Sequence, residues 1–274
     1  MIKKWTAPIY RHGFLVFLSA ASIYPVWFIL QTALKTNQQY LLDPLGIPLH
    51  PIFGNFSTTF AAFPVARWTL NSILVSIFSV LGSTLIALLA SYAMVFGKMR
   101  GVQFLLNTNI ALMVIPPVTL LIPMFILMVN LHLINTLPSV IIFYIGLFVP
   151  FSVFFLVNFM RTVPYELIEA AKIDGLSPFA ILRRIVVPLS SAALFTLMLV
   201  NIIYAWNELL VALVFLQQQD SRTLMSGLAL FQGRYSTNQP LVMAGAFVSV
   251  LPVLLLYIFG QRFFVKGMMA GIGK

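Results

Sequence analysis

The chain has no cysteine and very few charged residues, and each shortage excludes a class of protein. Without cysteine there are no disulfides, no thiolate metal sites and no cysteine nucleophile. Only 8% of the 274 residues are charged, whereas roughly a quarter are charged in a water-soluble domain. Hydrophobic residues make up 61% of the chain, and the mean hydropathy is +1.00. A chain of this composition is expected to lie in a membrane.

The hydrophobic residues form long runs and do not alternate with polar ones. Several runs reach about 18 residues, the length with which a helix crosses about 30 Å of hydrocarbon. A membrane barrel would show segments of about ten alternating residues, and continuous runs such as residues 141–157 exclude that pattern. Because backbone polar groups in lipid must bond within their own helix, the sequence predicts an all-α, polytopic membrane protein.

Six transmembrane helices are predicted, and residues 1–274 are interpreted as a single transmembrane domain. The spans lie at about 13–34, 70–96, 102–129, 137–160, 186–216 and 241–264. The first is interpreted as a retained anchor and not a cleaved signal, because its apolar core runs about 20 residues and continues through Tyr24, Pro25 and Trp27.

Lysine and arginine fall mostly in alternate links between the spans. With the N-terminus inside, the internal segments hold twelve of the 16 basic residues, and the external segments hold Lys35, Arg67, Arg222 and Arg234. Positive charge favours the cytoplasmic side of a membrane, so both termini are predicted to be cytoplasmic. The net charge of +10 does not indicate nucleic-acid binding, because the basic residues form no stripe with interleaved aromatics.

The motifs of nucleotide, metal and catalytic chemistry are also missing from the sequence. No phosphate-binding loop is present, since Gly97-Lys98 has Tyr92, and Gly273-Lys274 has Met268, where the first glycine belongs. The histidines lie far apart without ligand-like spacing, at His12, His50 and His132. No metal site, no catalytic residues and no enzyme activity are therefore expected.

Two features inside the spans concern helix packing. Small residues recur every four positions along the second span, and such a ladder lets two helix backbones approach closely in lipid. They are Ser79, Ser83, Ala87 and Ser91. Prolines interrupt the third span, and their missing N–H donors permit a kink that either serves as a pivot or simply shapes the bundle. They are Pro116, Pro117 and Pro123.

The cytoplasmic link at residues 161–185 has the signals of two short helices joined by a tight turn. Pro164 suits the first turn of a helix, and Gly175 can take the left-handed conformation of a helix end. Ser177 and Pro178 suit the cap and first position of a second helix. The pair is amphipathic, so from the residues alone it either docks on another protein or rests on the lipid surface.

Several residues in and after this link carry a resemblance to a known family. Glu169-Ala170-Ala171, Asp174-Gly175 and, further on, Ile185 with Pro188 resemble the EAA loop of ABC-importer permeases, and Pro188 is taken to mark the start of the fifth span. In that family the loop forms a coupling helix that inserts into a groove on the ATPase subunit. The resemblance implies that the ATPase-coupling residues are Glu169, Ala170, Ala171, Asp174 and Gly175. Leu176 departs from the alanine that is commoner there.

Further matches are similar to the carbohydrate-type branch, in particular to the smaller permease of maltose-type importers. They are Trp206-Asn207-Glu208-Leu209, Arg222-Thr223-Leu224 with Gly233 and Tyr235, and the tail from Gln261 to Gly273. The resemblance implies a cell-membrane permease subunit of an ATP-driven sugar importer, working by alternating access. Its implied partners are a second permease, an ATPase dimer that uses ATP, and an extracytoplasmic solute-binding protein. No cofactor bound by this chain is implied, and phosphorylated glycerol derivatives remain an alternative solute.

The fifth span has one polar face that includes Asn201, Tyr204 and Glu208. Sugars need hydrogen-bond partners and an aromatic surface, so this face is a candidate substrate path. The alternative is that Asn201 bonds a neighbouring helix and that Glu208 lies near the outer interface. An ion-coupled secondary transporter would place several ionisable residues in mid-membrane, whereas Glu208 is the one acidic residue within the predicted spans.

Overall fold

The regular secondary structure of the chain is helical, as the sequence predicts. The computed structural model describes residues 3–97, 99–235 and 238–272, and the side chains in those ranges other than 3–11, 231, 232, 234, 256 and 259–272. The basic residues of the first eleven positions and the whole tail match from Gln261 to Gly273 therefore lie outside the described side chains. Within the described ranges there is no strand.

The helices are numbered in chain order. They are α1 (Lys3–Ala33), α2 (Asn37–Leu42), α3 (Gly54–Ala62), α4 (Val65–Phe96), α5 (Val102–Leu112), α6 (Leu121–Asn130), α7 (Leu137–Met160), α8 (Tyr165–Ile173), α9 (Pro178–Ile181), α10 (Val187–Leu189), α11 (Ser191–Asn207), α12 (Leu210–Phe215), α13 (Leu224–Arg234) and α14 (Gln239–Ile272). Short 3₁₀ turns lie at Pro117–Leu120 and Gln219–Ser221, and a π-helical turn lies at Leu182–Val186.

Several described helices have the length and apolar composition of membrane spans. Single helices meet this test in residues His12–Ala33 of α1, in α4 and in α7. Two bent pairs meet it together: α5 with Pro117–Asn130, and Pro178–Leu189 with α11. The apolar part of α14, Gln239–Leu255, is shorter. The chain is thus a multi-pass membrane protein, and the count of six spans stays a prediction.

The third predicted span is a broken helix and not one straight helix. The chain turns by 91° between α5 and the arm Pro117–Asn130, which consists of the 3₁₀ turn and α6. Pro116 is extended there, with φ −64° and ψ 132°, and Pro117 begins the turn. Neither proline has an N–H to continue the α-helical ladder. The predicted kink is therefore confirmed at these two residues, whereas Pro123 lies inside α6.

The start of the fifth predicted span lies in a bent helix. Helical structure begins upstream at Pro178 and bends by 77° before α11. Pro188 lies inside the upstream arm, in α10, and the bend falls at Ser190. Because Pro188 has no N–H to donate to the carbonyl four residues earlier, the helix before it widens into the π-helical turn.

The fifth predicted span, 186–216, is not one continuous helix, because a second break lies near its end. α11 ends at Asn207, and Glu208 takes an extended conformation with φ −71° and ψ 132°. α12 then begins at Leu210. A period of 3.6 residues therefore does not run unbroken through Glu208, and the predicted polar face ends with α11.

By their contacts, the residues divide into two compact units. The first comprises 1–66 and 227–252, and the second comprises 67–226 and 253–274. Among the described side chains of the second unit, one apolar cluster packs α8 and α9 against α4, α5 and α7, and another contains residues of α6, α7, α11 and α12. The interpretation of the chain as a single domain stays a prediction.

In the first unit, the C-terminal end of α1 is joined to the segment that follows it by a buried lysine. Lys35 is 2% exposed, and its Nζ donates to the carbonyl oxygens of Asp43 and Pro44, both at 2.9 Å. Asn55 donates to the carbonyl oxygens of Ala33 and Lys35 at 2.7 and 2.8 Å. The two bonds from Lys35 Nζ stabilise a cation for which burial alone would be unfavourable, and the two bonds from Asn55 fix the backbone at the end of α1.

The predicted ladder of small residues is fully buried. Its members are Ser79, Ser83, Ala87 and Ser91, each 0% exposed. The hydroxyl of Ser91 donates to the carbonyl of Val153 on α7 at 3.3 Å. The ladder therefore serves close packing between α4 and α7, as expected for small residues in lipid.

Candidate functional site

The predicted coupling segment folds into α8 and closes with a Schellman turn. Gly175 has φ +79°, the left-handed conformation that favours glycine. Its N–H donates to the carbonyl of Lys172 at 3.1 Å, and the N–H of Leu176 donates to the carbonyl of Ala171 at 3.0 Å. These are the two backbone bonds of the motif. The predicted left-handed turn is confirmed.

The helix after this turn also begins where the sequence indicates. The hydroxyl of Ser177 accepts the N–H of Ala180 at 3.3 Å, and Pro178 occupies the first helical position. Pro164 stands one residue ahead of α8, as its cap, and not inside its first turn. A short helix, a tight turn and a second helix therefore follow one another as predicted.

α8 has one buried face and one exposed face. Ile168 and Ala171 lie in the apolar cluster that also contains Met160 and Ile181. The exposed side carries acidic, small and apolar residues: Glu169, Ala170, Ile173, Asp174 and Gly175. Of the five residues predicted to couple to an ATPase, four are therefore exposed, and Ala171 packs inside.

A hydrogen-bonded bend connects this element to α11. The N–H of Ser190 donates to the carbonyl of Val186, and the N–H of Leu194 donates to the carbonyl of Ser190, both at 2.8 Å. Val186 lies in the same apolar cluster as α8. Backbone bonds thus run through the bend and connect the packed α8–α9 element to α11.

A cavity of about 320 Å³ lies where α11 passes the break in the third span. The break contributes Leu112 and Pro117 to its wall, and α7 contributes Phe148 and Phe151. α11 contributes Val200, Asn201 and Tyr204, and the remaining lining residues are apolar. The volume lies in the range of roughly 300–1,000 Å³ that is usual for small-molecule sites.

Two of the predicted path residues, Asn201 and Tyr204, line this cavity. Asn201 is 3% exposed and donates from Nδ2 to the hydroxyl of Ser152 on α7 at 3.1 Å, so it both bonds a neighbouring helix and faces the cavity. Tyr204 is 45% exposed and meets Phe148 edge-on, with ring centroids 5.5 Å apart and planes at 86°. The Tyr204 hydroxyl makes no hydrogen bond to any residue that the structure describes.

Glu208 is placed beside the cavity and is not part of its lining. Its carboxylate accepts the hydroxyl of Tyr144 on α7. It also accepts the backbone N–H groups of Leu210 at 2.8 Å and Val211 at 3.2 Å, at the start of α12. Glu208 therefore holds the break between α11 and α12 and ties it to α7.

α7 contributes more to the site than the sequence indicated. Tyr144, Phe148 and Ser152 stand four residues apart on α7 and contact Glu208, Tyr204 and Asn201 respectively. Tyr144 and Phe148 also stack, with centroids 5.7 Å apart. The polar residues at 144 and 152, spaced by eight in an apolar run, were an available signal, because that spacing places them on one helix face. Phe148 gave none.

No metal site can be assembled from the described side chains: none of them form a group of three or more His, Cys, Asp or Glu residues. The cavity wall likewise brings together no nucleophile with a base.

A family model matches most of this architecture. The family described as "Binding-protein-dependent transport system inner membrane component" matches residues 82–269, which include the coupling segment, the residues that line the cavity and α7.

Three relatives are similar over nearly the whole chain. ORF2 of Caldicellulosiruptor sp., named for an ABC transporter permease, is 38% identical over 99% of this chain and 97% of its own length. The sulfoquinovosyl glycerol transport system permease SmoH of Agrobacterium fabrum is 33% identical over 91% and 88%. The melibiose/raffinose/stachyose import permease MelC of Bacillus subtilis is 30% identical over 94% and 93%.

The fold is shared with solved structures. One of them is a chain of a bacterial ABC transporter involved in the import of the acidic polysaccharide alginate, with a TM-score of 0.80 and 21% identity, covering 96% of this chain and 98% of that chain. The family model and the relatives agree over the span that contains the coupling segment and the cavity. The chain therefore belongs to the binding-protein-dependent transport system inner membrane component family.

Proposed function

We propose that this chain is a membrane-spanning permease subunit of an ATP-driven importer for sugars. The observation that carries the proposal is the exposed face of α8, closed by a Schellman turn and joined through a hydrogen-bonded bend to the helix that lines the cavity. The exposed face of α8 is thus available to a partner subunit, and α11 is available to the solute. The names of the sugar-transporting relatives support the solute class.

Coupling to the ATPase is assigned to the exposed residues of α8 and its turn. Glu169, Ala170, Asp174 and Gly175 lie on the surface that an ATPase subunit would contact. Ala171 contributes by packing α8 into the apolar cluster. Closure of two ATPase subunits moves this element as a rigid body, because its buried face is fixed to α7 and α9.

The substrate path is assigned to Asn201 and Tyr204, with Glu208 at its edge. Asn201 and Tyr204 present polar groups and a ring face to the cavity. Glu208 contributes by holding the α11–α12 break in place beside them. The solute passes without chemical change, so the chain has no catalytic role.

The proposal includes partner chains and an orientation. A second permease completes the path, an ATPase dimer binds and hydrolyses ATP, and an extracytoplasmic solute-binding protein delivers the sugar. Both termini and the α8 segment lie in the cytoplasm, where twelve of the 16 basic residues then fall. No cofactor is bound by this chain.

Reconstitution tests the proposal directly. The complete set of partners in proteoliposomes should take up sugar only when ATP is present on the α8 side. The rigorously purified single chain should neither hydrolyse ATP nor transport, because it has no phosphate-binding loop. ATP hydrolysis by the single chain, or sugar uptake by the full complex without ATP, would contradict the proposed function.

A further inference from the structure

The cavity described above has walls without formal charge. Among the residues that the structure describes, no lysine, arginine, histidine, aspartate or glutamate lines it. The sequence segments that supply its walls, 102–160 and 186–216, contain no lysine or arginine at all. Their one acidic residue is Glu208, whose carboxylate is engaged by Tyr144 and by the start of α12.

The polar groups that do face the cavity are neutral. The half-exposed ring of Tyr204 carries a hydroxyl with no hydrogen-bond partner among the described residues, and the amide of Asn201 lies on the same helix three residues earlier. Phe148 supports the Tyr204 ring edge-on. Such a wall offers an aromatic face for the C–H surface of a sugar ring and neutral donors and acceptors for its hydroxyl groups.

Transfer from water into this cavity would cost an anionic solute more free energy than a neutral one. Removing a carboxylate, sulfonate or phosphate from water is costly unless a cation or several donors replace the lost hydration. These walls supply no cation, and the carboxylate of Glu208, the residue that follows α11, would repel an anion. A neutral carbohydrate loses only hydroxyl hydration, which Tyr204 and Asn201 are able to replace.

Resting on the proposed function, we propose that the path built by this chain selects neutral carbohydrates and excludes phosphorylated, sulfonated and uronic-acid solutes. Tyr204 and Asn201 are the residues of this chain that contact the sugar. The proposal distinguishes this chain from its relative named for sulfoquinovosyl glycerol and from the alginate importer of similar fold, whose solutes carry negative charge.

The first experiment measures ATP-driven uptake by the complete reconstituted importer. The neutral probes are melibiose and raffinose, and the anionic probes are sulfoquinovosyl glycerol, glycerol 3-phosphate and a uronic-acid disaccharide. Uptake of a neutral probe at roughly ten times the rate of every anionic probe is the expected result. Anionic uptake at a comparable or higher rate overturns the proposal. Sugar uptake that does not require ATP would contradict the proposed function itself, which is a distinguishable failure.

A second experiment isolates the cavity from the choice made by the solute-binding protein. Val200 lines the cavity beside Asn201, so Val200→Lys and Val200→Asp place opposite charges in the same wall, and Val200→Met is the neutral control. For a neutral solute, both charges should lower uptake by roughly tenfold relative to methionine, irrespective of sign. Membrane abundance and basal ATP hydrolysis of the complex verify assembly. A lysine variant that transports as well as methionine while the aspartate variant fails would reveal a path for anions and overturn the proposal.

Discussion

Replacing Gly175 with alanine is expected to weaken the link between ATP hydrolysis and transport. Gly175 has φ +79°, and a Cβ built there meets no atom within 4 Å. The added methyl group therefore causes no steric clash. The free-energy cost of the substitution is that of a left-handed backbone conformation for alanine, about 1 kcal/mol. Such a cost shifts the balance between the native turn and alternative arrangements by about fivefold. The turn aims α9 relative to α8, so we expect several-fold less solute moved per ATP hydrolysed.

Gly101 provides a matched control for this experiment. It also has a positive φ, +80°, and a Cβ added to it would likewise meet no atom within 4 Å, but it lies at the start of α5. Gly101→Ala should carry the same backbone cost and leave the coupling ratio unchanged. Gly175→Asn should be milder than alanine, because asparagine tolerates the left-handed region, and Gly175→Val should be more severe.

The assay is uptake and ATP hydrolysis measured in the same reconstituted importer, with membrane abundance determined for each variant. The amount of solute moved per ATP hydrolysed should decrease in the order wild type, Gly175→Asn, Gly175→Ala, Gly175→Val. Wild-type coupling in both the alanine and valine variants would refute the role assigned to the turn. An equal loss from Gly101→Ala would show that the effect is not specific to the α8 element.

Three further predictions follow from the site. Ala170→Cys should react with a water-soluble maleimide and crosslink to the ATPase subunit, whereas Ala171→Cys should do neither, because Ala171 is buried. The chain has no cysteine of its own that would react. Equal labelling of the two variants would contradict the packing of α8. Tyr144→Phe removes the hydroxyl donated to Glu208, so the purified complex should lose roughly 0.6–1.7 kcal/mol of stability, measured by thermal denaturation, and an unchanged midpoint would argue against that bond. A reporter fused after Lys172 should be cytoplasmic and one placed in the link between the first two spans external, and an external signal at Lys172 would reverse the proposed orientation.

Features that depend on neighbouring residues could be read from the sequence. The left-handed Gly175 and the cap by Ser177 were predicted and are present, because a turn and a cap are determined within about five residues. The kink at Pro116 and Pro117 was predicted for the same reason, since proline removes its own N–H. Composition and run length likewise predicted helices in a membrane.

Features that depend on distant residues could not be read in this way. The periodicity of the fifth span predicted one continuous helix, but the structure bends it at Ser190 and ends it at Asn207. The second break is stabilised by a carboxylate that bonds Tyr144, 64 residues earlier in the chain. No local pattern contains that partner. The sequence therefore predicted Glu208 on a helix face, whereas in the structure it caps α12.

The sequence by itself determined the class of the protein, its helical character, the local form of the coupling turn and two of the residues that face the cavity. Only the tertiary structure decided that Ala171 is buried while Ala170 is exposed, and that Phe148 and Ser152 stand behind Tyr204 and Asn201. The physical reason is the distance along the chain between the interacting residues. Turns and caps depend on hydrogen bonds between residues close in sequence, and a hydrophobic run is visible in the sequence itself. Burial and cavities depend on contacts between α7 and α11, whose contacting residues are about 50 positions apart.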